Sequence, residues 1–484
     1  MPQVTVKWNA EKLDVDADVN EEPLVFKSQL FALTGVPPDR QKVMFKGKTL
    51  KDDTWTGFPV QEGSQLMMLG SSTALPQAKM DATPSSTSNN QQLDENGEEV
   101  VKLPSGLQNL GNTCYMNSTL QSFMVIPELV QGISKWTTAG SQKMRGELQK
   151  AYSGSIHTLF KDLTAGERES YMPLLQVTLM HKLYPQFATR SQQGGGWEQQ
   201  DANECFCELL REFSEASEVE VKDEKGETKA IPVRRFLEGE YEIQMKNTEN
   251  PEEPPQLSKE NFLQLSCFLS QETRYLQSGI KSKLSEEIEK HSESLGKNCK
   301  YLKEAKISRL PAHLTIQMVR FFYKEKDQVN AKIMKDVKFP MILDMCDCCT
   351  PELQNKLRPQ RVAWKEYEDA MLEEQRAAKL TEGKAEKKKK EAVEYVPSSF
   401  ADDPGSNNSG FYQLNAVITH KGRSSNSGHY VAWVRIQDDK WCMCDDEATF
   451  PVTEEQVLKL SGGGDWHTAY VLVYGPRRLP ILKK

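Results

Sequence analysis

The sequence predicts an α+β protein of two domains joined by a linker, and three observations lead there. The opening segment holds its own strand, strand, helix, strand series, with apolar positions to match. A stretch rich in Ser, Thr, Asn, Gln and acidic side chains follows, with no apolar period. Beyond it, a helical run (Tyr115–Met124) and an alternating strand (Tyr430–Val434) stand far apart in one long segment. At 484 residues the chain is long enough for two or three domains and a sizeable core.

Val4, Val6 and Trp8 alternate as in a strand with one buried face, and Leu13, Val15 and Ala17 follow after a short turn. Pro23 to Gly35 reads as a helix, with Pro near its start and Gly just past its end. Gln41 to Lys48 reads as a strand running into a turn. These elements set the expected boundaries: a small domain over 1–75, a flexible linker over 76–101 and a larger domain over 102–484. Within the larger domain, 364–410 reads as a second disordered stretch, with 365–380 able to form a charged surface helix. Glu386 and Glu391 flank the Lys387–Lys390 run, so it reads as a solvated loop in preference to a nuclear signal.

The bulk numbers exclude several classes. A net charge of −8 argues against nucleic acid as a partner. No apolar stretch reaches the ~20 residues of a membrane helix, and Pro127 and Glu128 break the longest candidate, Phe123–Ile133. The first residues lack a signal-peptide layout, and ten cysteines fit a reducing compartment with free thiols. The expected location is the cytoplasm, with the nucleus as a second compartment.

The chemistry concentrates in two runs. Cys114 lies in Gly106-Leu107-Gln108-Asn109-Leu110-Gly111-Asn112-Thr113-Cys114-Tyr115-Met116-Asn117-Ser118, and His429 in Ser427-Gly428-His429-Tyr430-Val431-Ala432-Trp433-Val434. A cysteine opening a helix, paired with a distant histidine at a strand start, is the pattern of a thiol protease. The helix N-terminus favours negative charge on the sulfur. An acid to orient the base should follow on the next strand, where Trp441-Cys442-Met443-Cys444-Asp445-Asp446 offers two.

Both runs resemble the Cys box and His box of the ubiquitin-specific proteases. The resemblance implies a papain-like thumb, palm and fingers domain and hydrolysis at the C-terminal glycine of ubiquitin, and no cofactor is expected. It implies Cys114 as nucleophile, His429 as base, Asp445 as the orienting acid and Asn109 as an oxyanion donor. Cys444 departs from the family, which has Phe there, and leaves open whether Asp445 or Asp446 faces His429. Asp446 is also a candidate to assist the oxyanion site. By its residues alone, Asn109 reads more readily as a turn former before the helix. The run Trp197 to Cys205 resembles the family's Gln-Gln-Asp-Ala box. It implies Gln200, Asp201 and Glu204 as contacts to the substrate tail, joined by Ser425 from the run before His429. Capping of the following helix is the competing role, favoured less for Asp201 and equally for Glu204. His467 sits outside the boxes and reads as structural.

The first domain is similar to ubiquitin around Phe45-Lys46-Gly47-Lys48-Thr49-Leu50, which implies a ubiquitin-like β-grasp. Leu69-Gly70-Ser71-Ser72 lacks the conjugated Gly-Gly end, so the domain reads as a docking module. Such a domain before the Cys box points to the proteasome-associated members. The implied partners are ubiquitin, polyubiquitinated proteins and the 26S proteasome regulatory particle. The alternative is a non-catalytic ubiquitin-binding scaffold. Gly422–Gly428 and Tyr323–Lys332 read as mobile polar stretches, and the resemblance implies that such loops lie over the substrate groove and shift on docking, although Gly422–Gly428 reads equally as a plain hairpin connection. Cys346-Asp347-Cys348-Cys349 has no second pair to complete a zinc site, so free thiols are expected.

Overall fold

A computed structural model describes residues 2–69 and 102–481, except 9–10, 20, 22, 35, 37–40, 47, 52–53, 139–145, 192–195, 223–226, 325–328, 381–393, 425–426 and 465. The chain divides into two compact units, Met1–Val100 and Val101–Lys484. The linker expected over 76–101 lies outside the described residues.

The first unit runs β1 (Gln3–Trp8), β2 (Glu11–Asp16), α1 (Pro23–Thr34), β3 (Lys42–Phe45), β4 (Lys48–Thr49) and β5 (Gln65–Leu69). The sheet order is β2-β1-β5-β3-β4, with β1 and β5 parallel. Val4, Val6, Val43, Leu66 and Met68 close over Phe26 and Leu30 of α1 to form its core. β5, at the centre of the sheet, is absent from the sequence reading. Its alternation is plain once placed: Leu66 and Met68 point in, while Met67 and Leu69 are 48% and 50% exposed.

The second unit begins with β6 (Gly106–Leu107), α2 (Cys114–Phe123), α3 (Pro127–Thr138), α4 (Glu147–Ala165), β7 (Ser170–Tyr171), α5 (Leu174–Leu183) and α6 (Ala202–Ala216). A hairpin of β8 (Glu218–Lys222) and β9 (Thr228–Pro232) and the short α7 (Arg234–Leu237) follow. Next come β10 (Gly239–Asn247), β11 (Gln256–Phe262), β12 (Gln264–Phe268), α8 (Leu276–Leu284), β13 (Ser285–Ser292), β14 (Lys297–Arg309), β15 (Leu314–Val319), β16 (Phe321–Lys324), β17 (Val329–Lys332), β18 (Ile342–Asp344) and α9 (Pro351–Leu380). The last part holds β19 (Phe411–Ser424), β20 (Ser427–Gln437), β21 (Lys440–Asp445), β22 (Ala448–Val452), α10 (Glu454–Leu458) and β23 (Thr468–Pro476).

Two larger sheets organise this unit. One has the order β11-β10-β14-β13; the other, the palm, runs β12-β15-β23-β19-β20-β21-β22, with β18 beside β19. The palm is covered on both faces. Tyr430, Ala432 and Val434 of β20 enter a core with α2, α4 and α6, while Val431 and Trp433 enter a second core with Leu276, Leu353 and Leu357. The strand expected as alternating over Tyr430–Val434 is apolar at all five positions, as burial on both faces requires. α2 is buried along its whole length although half of it is polar. Those polar groups bond inside: Thr119 Oγ1 to Tyr115 O (2.8 Å), Ser122 Oγ to Ser118 O (2.8 Å) and Gln121 Nε2 to Ser105 O (2.9 Å).

One expectation is corrected here, and one left open between two readings is narrowed. The stretch 364–410 is not a disordered insertion where it is described. α9 continues to Leu380, anchored by buried Trp364, with the Arg477 guanidinium 3.9 Å from its ring centroid. Ser406, Asn407 and Ser409 are buried, and Asn407 Oδ1 accepts from Ser409 N and Gly410 N. A few anchoring side chains fix a segment whose average composition is charged. Residues 381–393 lie outside the described set. Gly422–Gly428 is also mostly ladder: β19 runs to Ser424 and β20 starts at Ser427. Gly428 has φ +133°, and a Cβ there would collide with the Lys421 carbonyl and the His420 ring. The glycines answer to close packing within the hairpin, and residues 425–426 lie outside the described set. The other expected loop forms the β16–β17 hairpin around 325–328.

α3 is tied to the palm by Glu128, whose Oε2 lies 2.7 Å from His313 Nε2. Burial pushes the Glu128 carboxyl up, but His313 and then Arg478 outweigh it, and the pKa falls from 4.5 to about 2. Below pH 4.5 the unfolded chain takes up a proton that the folded chain refuses until about pH 2. The stabilisation is therefore full above pH 4.5 and fades as pH falls towards 2. Glu128→Gln is expected to destabilise the larger unit by roughly 1–3 kcal/mol at pH 7. Thermal melts from neutral pH down to the carboxylate range should show the gap to wild type narrowing; a constant gap would contradict the linkage.

Candidate active site

The loop before α2 folds on itself. Gly111 and Asn112 both take left-handed φ, +94° and +57°. Asn109 Oδ1 accepts from Gly111 N (3.0 Å) and Thr113 N (3.2 Å), while Thr113 Oγ1 accepts from Leu110 N (2.9 Å). Asn112 Nδ2 donates to Trp197 O (2.8 Å) and fastens the loop to the segment before α6. The helix then starts at Cys114, 2% exposed, where first-turn N–H groups have no intrahelical acceptor.

The palm delivers the imidazole and the carboxylate. The pairing Ala432↔Cys444 places Asp445 across from Val431, so His429 and Asp445 share a face one side-chain step apart. His429 Nε2 lies 2.5 Å from Asp445 Oδ1 and 3.9 Å from Asp446 Oδ2. The hydrogen bond to Asp445, and then one with the Cys114 thiol, outweigh partial burial and raise the His429 pKa from 6.5 to about 10. The same contact with His429 lowers the Asp445 carboxyl. Both side chains are about a third exposed, so reacting groups can reach them.

Asp446 points elsewhere. Its φ of +48° turns the chain, and its carboxylate accepts from Asn109 Nδ2 (2.9 Å) and Asn117 Nδ2 (2.8 Å). Burial raises its pKa, against the pull of the two amides. Cys444, at the family's Phe position, is buried with its Sγ 3.8 Å from that of Cys442. Ligand-type atoms of His429, Asp445 and Asp446 lie within 4.8 Å of one another. The imidazole and the two asparagine amides already engage those carboxylates.

The remaining expected residues divide. Asp201 caps α6, Oδ1 accepting from Asn203 N (2.7 Å) and Glu204 N (3.1 Å), and its Oδ2 accepts from Tyr470 Oη (2.7 Å). A substrate donor would have to share an oxygen already in use. Glu204 is exposed on the first turn of α6, its carboxyl raised by partial desolvation and then by Asp201 and Glu208. Gln200 is half-buried and donates to Glu198 O (3.2 Å). Ser425 lies outside the described residues. His467 is buried, with Nδ1 3.3 Å from Thr419 Oγ1, and burial lowers its pKa to about 4. Absent from the sequence reading were Asn117 and Tyr470 as partners of Asp446 and Asp201, and Lys332, whose Nζ lies 3.0 Å from His420 Nδ1. Only Asn117, inside the Cys box, carried a local signal.

Over residues 105–474 the sequence matches the family described as Ubiquitin carboxyl-terminal hydrolase, and over 4–73 the Ubiquitin family. It is 40% identical to ubiquitin carboxyl-terminal hydrolase 14 of Caenorhabditis elegans, over 99% of this chain and 94% of that protein. It is 36% identical to ubiquitin carboxyl-terminal hydrolase 6 of Arabidopsis thaliana, over 99% of each. In fold, it resembles a chain from the SAGA Ubp8/Sgf11/Sus1/Sgf73 DUB module bound to ubiquitin aldehyde, with a TM-score of 0.52 at 19% identity over 78% of this chain and 70% of that one. A thiol at a helix start, an imidazole beside it and a full-length match to this family lead to one conclusion: the chain belongs to the ubiquitin carboxyl-terminal hydrolase family and is a cysteine-dependent deubiquitinase with a ubiquitin-like domain.

Proposed function

We propose that this deubiquitinase works at the 26S proteasome, docked through its ubiquitin-like domain, and releases ubiquitin from bound substrates with Cys114, His429, Asp445 and Asn109 as its reacting set. The observation that carries the chemical part is the His429 contact to Asp445 at 2.5 Å, on an imidazole that also meets the Cys114 thiol. The sulfur of Cys114 attacks the carbonyl carbon of the ubiquitin C-terminal glycine. His429 gives its proton to the departing lysine amine, leaving a thioester that water, deprotonated by the same imidazole, hydrolyses to acid and thiol. Asp445 holds the ring and stabilises its charged form. Asn109 spends one Nδ2 hydrogen on Asp446 and has a second for the oxyanion. Glu204 faces arginines of the ubiquitin tail, where an exposed carboxylate on α6 is physically suited.

The docking part rests on the small domain. Met67 and Leu69 of β5 stand exposed beside Met44 and Lys42 of β3, an apolar strip flanked by a lysine on a folded sheet. The tail that would let the domain be conjugated is missing from the sequence. The cytoplasm is the proposed site of action, with the nucleus as a second compartment.

Cys114→Ala is expected to abolish hydrolysis of a ubiquitin–fluorophore and leave ubiquitin affinity intact by calorimetry; turnover above background would sink the assignment. Asp445→Asn removes the main cause of the high His429 pKa. It is expected to cut kcat roughly 10–100-fold, less than loss of the thiol. Because His429 must carry a proton to the leaving amine, activity falls as pH rises through its pKa. The alkaline limb of the kcat/KM profile should move from about 10 towards 6.5 in the variant. An unmoved limb would remove Asp445 from its role. For docking, Met67→Asp with Leu69→Asp should reduce co-purification with proteasomes while hydrolysis by the free protein is unchanged. Undiminished co-purification would count against the proposed face.

A further inference from the structure

Asn117 stands one helical turn beyond Cys114 on α2 and is 3% exposed. Its amide nitrogen lies 2.8 Å from Asp446 Oδ1, 3.1 Å from Leu107 O and 3.3 Å from Gln108 O. Its Oδ1 is buried without a hydrogen-bond partner among the described residues. A buried, unpaired acceptor is costly, and an apolar side chain of similar size would avoid that cost. The NH2 group therefore does something that filling space does not.

That group closes a junction of three segments. Leu107 N donates to Asp446 O (2.8 Å), and Asn109 Nδ2 donates to Asp446 Oδ2 (2.9 Å). Gly106 packs so closely on the Asp446–Glu447 turn that any Cβ there would collide with both carbonyls. β6, the turn after β21 and the second turn of α2 thus meet around one amide. Cys114 rides on α2, whereas His429 and Asp445 ride on the palm, so their spacing is set across this junction. It also decides which carboxylate meets the imidazole. Asp446, engaged by two asparagines, stays 3.9 Å from His429 Nε2, while Asp445 stands at 2.5 Å.

We propose that Asn117 is a positioning residue for the thiol–imidazole pair: it clamps Asp446 and the Leu107 carbonyl to the helix that carries Cys114, and so holds the sulfur against His429 and leaves the imidazole N–H to Asp445. The proposal rests on Cys114 and His429 being the reacting pair. A misplacement of about 1 Å between reacting groups costs about a hundredfold in rate, so a clamp at this junction acts on kcat. Ubiquitin binds over a much larger surface, so KM should hardly change.

The test uses the full chain with Asn117→Ala, the near-isosteric Asn117→Leu, Asp446→Ala and the double variant Asn117→Ala/Asp446→Ala. Steady-state hydrolysis of a ubiquitin–fluorophore is read alongside the pH dependence of Cys114 alkylation by iodoacetamide, which reports on the thiol–imidazole pair without ubiquitin. The expected result is a kcat about 10–100-fold lower with KM within about twofold, and an altered alkylation profile. The double variant should be little worse than the poorer single one, because both changes break the same clamp. If Asn117→Ala does not fold, Asn117→Leu carries the test, since it keeps roughly the volume and has no donor. A folded variant with wild-type kcat and alkylation profile would overturn the proposal. So would a lower melting temperature with unchanged specific activity of the folded fraction. Cys114→Ala run in parallel reports separately on the reacting pair: retained hydrolysis there would overturn that reading, whatever the Asn117 variants do.

Discussion

The palm sheet is buried on both faces, and the site depends on that constraint. β20 sends Tyr430, Ala432 and Val434 into one core and Val431 and Trp433 into the other. A slip of one residue would exchange every one of these side chains between cores of different shape. The register of β20 against β21 is therefore held by packing along the whole strand. The same register puts His429 and Asp445 on one face within hydrogen-bonding reach. α2, buried along its length against the palm, brings Cys114 to meet them.

Three histidines near the palm show how local surroundings divide chemistry. His429 is partly exposed and bonded to a carboxylate, and its pKa rises to about 10. His420, one residue from the matching position on the neighbouring strand, is buried beside Lys332, and its pKa falls to about 3. His467 is likewise buried, with no carboxylate hydrogen bond among the described residues, and falls to about 4. At neutral pH, one ring holds the proton that the proposed reaction moves, and the other two serve as neutral packing and hydrogen-bonding groups. Burial without an anion and proximity to an anion act in opposite directions, and each strand position determines which effect wins.

Much of this was legible in the sequence, because helix starts and alternating strands are local properties. The Cys114 helix and the strand after His429 follow from short runs, as does the cap at Asp201, which the sequence reading ranked below substrate contact. The small domain was legible up to its central strand. Gln65–Leu69 lies past a long irregular segment, and its role needs its parallel partner β1 to be seen. The choice between Asp445 and Asp446 was not legible, since it turns on φ +48° at Asp446 and on asparagines more than three hundred positions away. The contact of Asp201 with Tyr470 spans 269 positions and leaves no local trace. Over 364–410, composition suggested solvation, whereas Trp364, Arg477 and Asn407 make specific long-range or turn contacts that averages conceal.

The central claim is that Cys114 is a reactive sulfur primed by the palm, while the protein's other thiols are bystanders. Cys114 is set apart by its place at the start of α2 and by its contact with the His429 imidazole, whereas burial pushes up the thiols of Cys205, Cys207, Cys267, Cys346, Cys348 and Cys349, and Cys442 that of Cys444. The direct measurement is reaction of the full chain with ubiquitin vinyl sulfone, followed by mass mapping of the adduct. One ubiquitin per chain, on the Cys114 peptide and lost in His429→Ala, is the predicted result. An adduct on another cysteine, or full labelling without His429, would contradict the account.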